Sequence, residues 1–349
     1  MSLSISICRC RLLFKHPFGT AHGLRDGTDA LFIRMEENGF VGYGEVTLPP
    51  YLKESITGAL EVLNSIVAKQ AWNGERLLEA LDNLPELNER TNGCRAGLHT
   101  ALIDLLAKQR QLPAGKLLDI NKRKSPITLM TLGISPINQV ALKLNELPMS
   151  GALKLKAGDA EGAARIRLIG QLDQRRLFID GNQGLNSVLE AKTLVQGIDP
   201  ERILGFEQPF GQDGDGKNVE LSRDLGIDVF ADESIQNMGE LEAKASQFTG
   251  VNLKLMKCGG LDRAKAMADR ARSMGLKVML GSMSESSLGC TAMAQLAGEA
   301  DIVDLDGPWL IKNDPFSGIA MEHGRLIVPN GPGIGANLRA ELEFSPICA

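Results

Sequence analysis

Three acidic residues each follow a short apolar segment in the middle of the sequence, at similar intervals. They are Asp180 in IDGN, Glu207 in FEQP and Asp232 in ADES. If these segments are parallel strands of a barrel, their carboxyl ends surround one mouth and the three acids converge there. Like charges at such short range require a cation, and carboxylate oxygens favour a hard divalent ion, Mg²⁺ first. Helix capping is the alternative role of each acid, but it explains one such acid better than three in succession.

Lysines occupy two of the apolar segments at positions where strand alternation points them into a barrel. Lys154 and Lys156 share one face of ALKLKA, and Lys254 shares a face with Asn252 in VNLKLM. A buried lysine is costly unless it is paired, so simple pairing with the acids is the structural alternative.

The two lysine segments are the second and sixth of eight predicted strands, which lie opposite each other in a closed barrel. Their lysines are therefore expected to act as two bases across a metal-bound substrate. One would remove a proton from an α-carbon, and the other would return a proton to the opposite face. The charges of Lys154 and Mg²⁺ would stabilise the enediolate between these steps.

Other polar residues at the same end of the predicted strands add to this site. The last strand carries Asp304 and Asp306, and alternation predicts that both point inward. Aspartates near a strand end are usually caps or turn formers, but a pair opposite the metal can bind a substrate ammonium group. Asn182 and Glu233 stand next to the predicted metal ligands and are expected to hydrogen-bond them from outside.

The segments that position these residues alternate with amphipathic helices from residue 127 onward, as βα units do. The predicted strands cover 127–131, 152–157, 176–180, 203–207, 227–231, 251–256, 277–281 and 302–306. Eight strands with seven intervening helices favour a closed (β/α) barrel over an open doubly wound sheet. After Trp309, a glycine-rich run predicts a terminal hairpin and loop.

The first third of the chain has a different texture and predicts a small α+β unit. Residues 4–14 alternate like a strand, and 29–36 and 40–46 predict a hairpin around Asn38 and Gly39. Helical spacing follows at 55–69 and 94–110. The basic stretch 121–126 is a plausible boundary, which gives three predicted divisions: an α+β domain (1–122), a barrel (123–320) and a C-terminal segment (321–349).

The composition of the chain limits which ligands and which cellular compartment are expected. Hydrophobic residues make up 43% of the 349 residues, and the net charge of −5 argues against a nucleic-acid partner. Small acids or zwitterions are the expected ligands. Six cysteines without a C-x-x-C pair predict neither a zinc site nor disulfides, which favours the cytoplasm. No apolar stretch approaches the length of a membrane span. The sequence leaves the oligomeric state open, and a homo-oligomer is among the states that it allows.

Five motifs in order resemble the muconate lactonizing enzyme subgroup of the enolase superfamily. They are K-x-K (154–156), D-G-N (180–182), E-Q-P (207–209), A-D-E-S (231–234) and K-x-x-K-x-G-G (254–260). The resemblance covers nearly the whole chain and implies a (β/α)7β modified TIM barrel behind an N-terminal capping domain. The D-x-D of VDLDGPWL is similar to that of the dipeptide epimerases, where it holds the α-ammonium of an unblocked dipeptide.

The resemblance implies a role for each site residue. It makes Asp180, Glu207 and Asp232 the Mg²⁺ ligands, and Lys156 and Lys254 the acid/base catalysts. Electrostatic assistance would come from Lys154, whereas Lys257 is expected to be structural because it lies past the strand tip. The segment GSMSES also resembles the family, which would place Ser282, Met283 and Glu285 along the pocket.

Substrate preference is expected to depend on loops of the N-terminal domain, at 16–27 and around Pro49. Arg25 in the first loop would meet an acidic substrate side chain, or would be a solvated charge. A hydrophobic or mixed dipeptide is therefore as plausible as Ala-Glu. The alternatives on the same fold are muconate cycloisomerisation, dehydration to o-succinylbenzoate and N-acylamino acid racemisation, none of which uses a free ammonium. A non-catalytic binding barrel would have no reason to keep both lysines and all three acids.

Overall fold

The computed structural model describes residues 3–20, 23–49, 52–120, 125–212 and 216–347. Its first part is an N-terminal unit in which an antiparallel sheet packs against helices. The strands are β1 (Ser4–Thr20), β2 (Gly23–Glu37) and β3 (Phe40–Thr47), and the helices are α1 (Ile56–Lys69), α2 (Gly74–Ala80), α3 (Asn92–Gln109) and α4 (Ala114–Leu117). Ile33, Val46, Leu63 and Leu102 from these strands and helices belong to one buried apolar core.

Local signals in the sequence set the limits of these elements. Asn38 (φ 52°) and Gly39 (φ 80°) form the two-residue turn between β2 and β3, and a turn with two positive φ angles matches the twist of the strands it joins. Ser55 accepts a hydrogen bond from the Gly58 amide at 3.0 Å and so caps α1. The predicted hairpin and both predicted helices are confirmed.

The second part is a closed barrel of eight parallel strands, in the order β10-β11-β4-β5-β6-β7-β8-β9. The strands are β4 (Ile127–Leu132), β5 (Ala152–Lys156), β6 (Arg176–Asp180), β7 (Ile203–Glu207), β8 (Asp228–Ala231), β9 (Gly250–Lys254), β10 (Lys277–Gly281) and β11 (Ile302–Asp304). The predicted fold class is confirmed. Strands β5 and β9 stand four places apart in the ring, so they lie opposite each other.

Helices connect and follow these strands. They are α5 (Val140–Glu146), α6 (Gly162–Leu172), α7 (Val188–Leu194), α8 (Lys217–Leu225), α9 (Met238–Lys244), α10 (Leu255–Cys258), α11 (Leu261–Ser273), α12 (Ser287–Ala294) and α13 (Gly307–Leu310). Within the described ranges, no helix is long and apolar enough to cross a bilayer.

Apolar side chains fill the amino-terminal end of the barrel interior. The rings of Phe178 and Phe230 meet edge to face with centroids 5.4 Å apart, together with Leu129 and Met279. Gly250 makes room for this layer, because a Cβ there would lie 2.4 Å from the Phe230 ring. With that end filled, the polar residues of the same strand faces are left at the carboxyl-terminal mouth.

Four predicted boundaries were wrong, and the errors matter for the site. Strand β9 ends at Lys254, and the next four residues form the helical turn α10 instead of continuing the strand to 256. Strand β11 ends at Asp304, so Asp306 lies in the turn before α13. Strand β1 runs to Thr20 and β2 begins at Gly23, so the described part of the predicted loop 16–27 is the end of a hairpin.

The chain after the barrel returns to the N-terminal unit. It forms β12 (Phe316–Ser317), β13 (Ala320–Glu322), β14 (Arg325–Ile327), β15 (Asn337–Leu338) and β16 (Ser345–Pro346). Strands β13 and β14 make the predicted terminal hairpin, and β16 pairs with β1. The domain limits at 122 and 320 stay predictions, and residues 121–124 and the turn residues 50 and 51 lie outside the described residues.

Candidate active site

A cavity of about 240 Å³ opens at the carboxyl ends of the barrel strands, beside the β1–β2 hairpin. Residues from both parts of the chain line it. Those singled out from the sequence are Arg25, Lys154, Lys156, Asn182, Asp232, Glu233, Lys254, Ser282, Met283, Asp304 and Asp306. Asp180 and Glu207 are fully buried against these residues. One site therefore unites the metal, lysine and ammonium-binding candidates.

The second barrel strand supplies two ammonium groups to the acids of its neighbours. The Lys156 Nζ lies 2.6 Å from Asp180, and the Lys154 Nζ lies 3.0 Å from the same carboxylate. Lys154 also contacts Glu207 at 2.7 Å and Asp304 at 2.6 Å. Lys154 is therefore fixed between three acids, whereas the Lys156 side chain is the more exposed of the two, at 11% against 2%.

The sixth barrel strand holds a matching arrangement on the opposite side. The Lys254 Nζ lies 2.6 Å from one oxygen of Asp232, and the Lys257 Nζ lies 2.7 Å from the other. Lys257 also donates to the carbonyl oxygens of Asp232 at 2.7 Å and Asn252 at 2.8 Å, which supports the structural role expected for it. Asn252 in turn donates to Glu207 at 2.9 Å. Each base candidate thus shares an acid with a more deeply buried lysine.

The pKa values of the three central acids differ according to their lysine neighbours. Burial alone raises the pKa of Asp180, but Lys154 and Lys156 lower it to about 2. Burial acts likewise on Asp232, and Lys254 and Lys257 bring its pKa far below the usual value. The pKa of Glu207 is raised to about 7, first by burial and then by the charge of Asp180.

The donor set of the cavity suits a divalent cation. Among the described residues, no three acidic, imidazole or thiol groups are close enough together to hold a metal ion, and ammonium groups lie against two of the carboxylates. The acids nevertheless outnumber the lysines by two: Asp180, Glu207, Asp232, Glu233, Asp304 and Asp306 against Lys154, Lys156, Lys254 and Lys257.

Two buried oxygens at the cavity support the same fit. Asn182 Oδ1 and Glu233 Oε2 have no hydrogen-bond partner within the described part of the chain. Burial and the charge of Asp232 raise the pKa of Glu233 to about 8. Asn182 contacts the predicted metal ligand Asp180 through its backbone amide and not through its side chain. The amide donates to Asp180 at 3.0 Å. An oxygen-rich site with more carboxyl groups than lysines matches the preferences of Mg²⁺.

The two acids of the D-x-D motif reach the cavity from different elements and have different partners. Asp304 accepts from the Thr131 hydroxyl at 3.2 Å in addition to its contact with Lys154. Asp306 accepts from the Thr131 backbone amide at 2.6 Å. Burial, and then the charge of Asp304, raises the pKa of Asp306 to about 6. The two acids therefore differ in their closest partners, an ammonium group for Asp304 and a backbone amide for Asp306.

The loop candidates divide into residues at the cavity and one residue away from it. Ser282 and Met283 line the cavity as expected. Glu285 does not: it is 1% exposed, and its carboxylate accepts from the Met283 backbone amide. The prediction that Glu285 lines the pocket is wrong, because its side chain folds back under its own loop. Arg25 lines the cavity with its guanidinium over the Phe14 ring, 5.9 Å from the centroid.

Sequence reasoning missed two contributors to this site. Thr131 binds both acids of the D-x-D motif, and a signal existed, because it occupies an inward position of the first predicted strand. The link between Lys257 and Asp232 had no such signal, since residues 255 and 256, the first half of the helical turn that allows it, were predicted as strand.

Comparison with known proteins places this site in a family. The model of the mandelate racemase/muconate lactonizing enzyme N-terminal domain matches residues 4–119, and the enolase C-terminal domain-like model matches 143–342. The chain belongs to the enolase superfamily. An L-Ala-D/L-Glu epimerase of this superfamily, from Bacteroides thetaiotaomicron, is 32% identical over 93% of this chain and 85% of its own length.

Two further members have matching lengths. A hydrophobic dipeptide epimerase from a Flavobacteria bacterium is 31% identical, covering 94% of this chain and 96% of its own. The structure of a dipeptide epimerase from Cytophaga hutchinsonii, complexed with Mg and the dipeptide D-Ala-L-Val, superposes with a TM-score of 0.87. It is 25% identical and covers all of both chains. The predicted superfamily and subgroup are confirmed.

Proposed function

We propose that this protein is a Mg²⁺-dependent dipeptide epimerase, an isomerase that inverts the α-carbon of the C-terminal residue of an unblocked dipeptide. The observation that carries the proposal is the pair Lys156 and Lys254, which line one cavity from opposite barrel strands. The epimerase relatives and the Mg–dipeptide complex of a structural neighbour support it.

The two lysines divide the proton transfer between them. One amine removes the α-proton of one epimer, and the opposite ammonium delivers a proton to the other face of the same carbon. In the reverse reaction they exchange roles. A lyase needs only one base in line with its leaving group, so the second opposed lysine favours 1,1-proton transfer over cycloisomerisation or dehydration.

Negative charge develops on the substrate carboxylate as the α-proton leaves, and positive groups must already be in place there. Lys154 supplies one, because its contacts with Asp180, Glu207 and Asp304 hold it in the site and raise its pKa well above the usual value despite burial. It stays an ammonium at neutral pH and serves as a fixed charge.

Asp180, Glu207 and Asp232 would hold Mg²⁺ on three adjacent strands, with Asn182 and Glu233 beside them. When bound, the ion supplies positive charge next to the substrate carboxylate.

The D-x-D acids distinguish a dipeptide from the other substrates of this fold. Asp304 and Asp306 offer carboxylates for the substrate ammonium, which muconate, the o-succinylbenzoate precursor and N-acylamino acids lack. Phe18, Leu24 and Met283 give the cavity an apolar side, while Arg25 offers a charge for an acidic side chain. We therefore propose that the enzyme accepts dipeptides with apolar as well as acidic side chains.

The five described cysteines are free, which supports a location in a reducing cytoplasm.

Incubation of a dipeptide library in D₂O with Mg²⁺, followed by mass spectrometry, tests this function. Each true substrate should gain one deuterium at the α-carbon of its C-terminal residue, and chiral analysis should detect both epimers. N-acetylated copies of the same dipeptides are the matched control and should gain little. Deuterium-free recovery of every dipeptide, or equal reaction of the acetylated set, would refute the proposal.

A further inference from the structure

One face of helix α3 carries three buried polar residues that point away from the core of the N-terminal unit. Asn92, Arg95 and His99 recur at the spacing that lines up side chains along a helix. Arg95 and His99 are each 1% exposed and Asn92 is 8% exposed. Polar groups this deeply buried need partners, and theirs lie in the barrel.

The partners are successive backbone groups of the turn that follows strand β9. Asn92 Nδ2 donates to the Lys257 carbonyl at 2.7 Å, and an Arg95 NH group donates to the Gly259 carbonyl at 2.6 Å. The Leu261 amide donates to His99 Nδ1 at 3.3 Å. Burial lowers the pKa of His99 to about 4, so its ring is neutral and able to accept this bond.

Arg95 is itself held in place by acids on both sides of the contact. Its guanidinium makes two bonds to Asp262, at 3.0 and 2.7 Å, and one to Asp82 at 2.8 Å. A planar guanidinium fixed by two bonds to one carboxylate has little freedom. The carbonyl of Gly259 is therefore bound to a rigid group of the N-terminal unit.

The two glycines of the K-x-x-K-x-G-G motif make this approach possible. Gly259 has φ 91° and Gly260 has φ 142°, which side chains rarely adopt. A Cβ on Gly259 would lie 2.8 Å from Asn92 Oδ1, and one on Gly260 would lie 2.9 Å from an Arg95 nitrogen. The motif therefore encodes a docking surface for α3 as well as two lysines.

This turn connects α3 to the base on strand β9. It starts directly after Lys254, and Lys257 within it bonds to Asp232, the same carboxylate that Lys254 contacts. The chain after the base on β5 is held differently, since the Ala157 amide that follows Lys156 donates to the Asp180 carbonyl of strand β6 at 2.9 Å.

We propose that the polar face of α3 (Asn92, Arg95 and His99) is a positioning device for Lys254, acting through residues 255–261 and never touching the substrate. This inference rests on the proposed two-base function. If the turn shifts, Lys254 loses its alignment with the α-carbon while Lys156 keeps its own. A small displacement of a catalytic group is enough to cost about 100-fold in rate.

The test compares α-proton exchange of two pure epimers of one dipeptide in D₂O by proton NMR, at Mg²⁺ concentrations that saturate each variant. Lys254→Ala first identifies the epimer whose exchange depends on Lys254. Arg95→Lys keeps the charge but loses the double contact. Asn92→Ala removes the bond to the Lys257 carbonyl and a 3.3 Å bond from Arg263, and it serves in case the arginine variant fails to fold. Each should slow exchange of the Lys254-dependent epimer by about 10- to 100-fold, with the other epimer within about twofold.

Asp104→Asn is the matched control on the same helix. Asp104 is fully buried and accepts from the Tyr43 and Ile334 amides at 2.9 Å, away from the turn. This variant should lower the melting temperature and leave the ratio of the two exchange rates unchanged. Equal slowing of both epimers by Asn92→Ala, or no slowing in a folded Arg95→Lys, overturns the inference. A parent protein that exchanges neither epimer refutes the proposed function instead.

Discussion

Strands β5 and β9 each end in a lysine that lines the same cavity, Lys156 and Lys254, but the two lysines are supported in different ways. On β5, Lys154 and Lys156 are two residues apart on one strand, and acids of the barrel hold both. On β9, Lys254 is the last residue of the strand and Lys257 lies in the turn beyond it. The first arrangement is complete within the barrel, whereas the second depends on helix α3.

This difference shows why one base is the easier one to alter from a distance. Lys156 and Lys254 are both the last residues of their strands, so each is placed by the chain that follows it. After Lys156, the Ala157 amide donates to the Asp180 carbonyl of the neighbouring barrel strand at 2.9 Å, whereas the turn after Lys254 is bonded to helix α3. Changes shared by both bases should therefore affect the two epimers equally, and changes to one support should separate them.

Removal of the metal is expected to have the largest effect, and it should be symmetric. Chelation, or Glu207→Gln, should take exchange of both epimers below detection, because both proton transfers need positive charge at the substrate carboxylate. Circular dichroism melting would check that the variant is folded, and elemental analysis would check that the metal has gone. Undiminished exchange in metal-free protein would contradict the metal site.

Replacement of one lysine should give the strongest asymmetry. In Lys254→Ala, interconversion of the epimers should fall by about 100- to 10,000-fold, while the epimer facing Lys156 still exchanges its α-proton with D₂O. Lys156→Ala should show the mirror pattern. Each variant should fold, since Asp232 keeps Lys257 at 2.7 Å and Asp180 keeps Lys154 at 3.0 Å. Proton NMR on each pure epimer measures both rates. Interconversion at the parental rate in either variant would refute the two-base mechanism.

The same contrast explains how much of the molecule its sequence predicts. Strand alternation placed Lys154 and Lys156 correctly, because period-two geometry is local and the barrel repeats it eight times. Alternation failed after Lys254, where a buried apolar pair, Leu255 and Met256, fits a strand or a helical turn equally well.

Contacts between distant segments are harder to predict from the sequence than strand alternation is. The spacing of Asn92, Arg95 and His99 is visible in the sequence, but nothing there says that the partner is a turn more than 150 residues away. The prediction that Glu285 lines the pocket failed for a related reason, since a motif fixes the path of a loop and not the direction of each side chain. The family, the barrel and the site as a whole were predictable because many residues repeat one pattern.

The ammonium site should give a smaller and symmetric effect, because the ammonium belongs to the residue that is not inverted. Asp306→Asn should lower kcat/KM for a free dipeptide by about 30-fold or more, since loss of one partner from a buried charge pair costs about 2–5 kcal/mol. Both epimers should suffer alike. Steady-state assays with free and N-acetylated dipeptides measure this. An equal loss with the acetylated substrate would place the effect elsewhere than the ammonium.

The smallest expected effect is a pH dependence that Asp306 imposes on both epimers. The pKa of Asp306 is raised to about 6 by burial and by Asp304, so in the free enzyme this carboxyl is protonated below that pH. A neutral acid holds an ammonium poorly, so kcat/KM for a free dipeptide should fall below pH 6 and level off near the loss of about 30-fold expected of Asp306→Asn. Asp306→Asn should lack this limb of the profile.

Stability gives an independent check on the same carboxyl, with a definite sign. A pKa raised above the unfolded value of about 3.9 means that the folded protein prefers the protonated acid. The stabilisation that Asp306 contributes is thus fully present below pH about 4 and is lost as the pH rises through about 6. The melting temperature of Asp306→Asn relative to the parent should therefore increase between pH 4 and pH 7. A constant difference over that range would show that Asp306 titrates normally, and the pH limb in kcat/KM would then need another group.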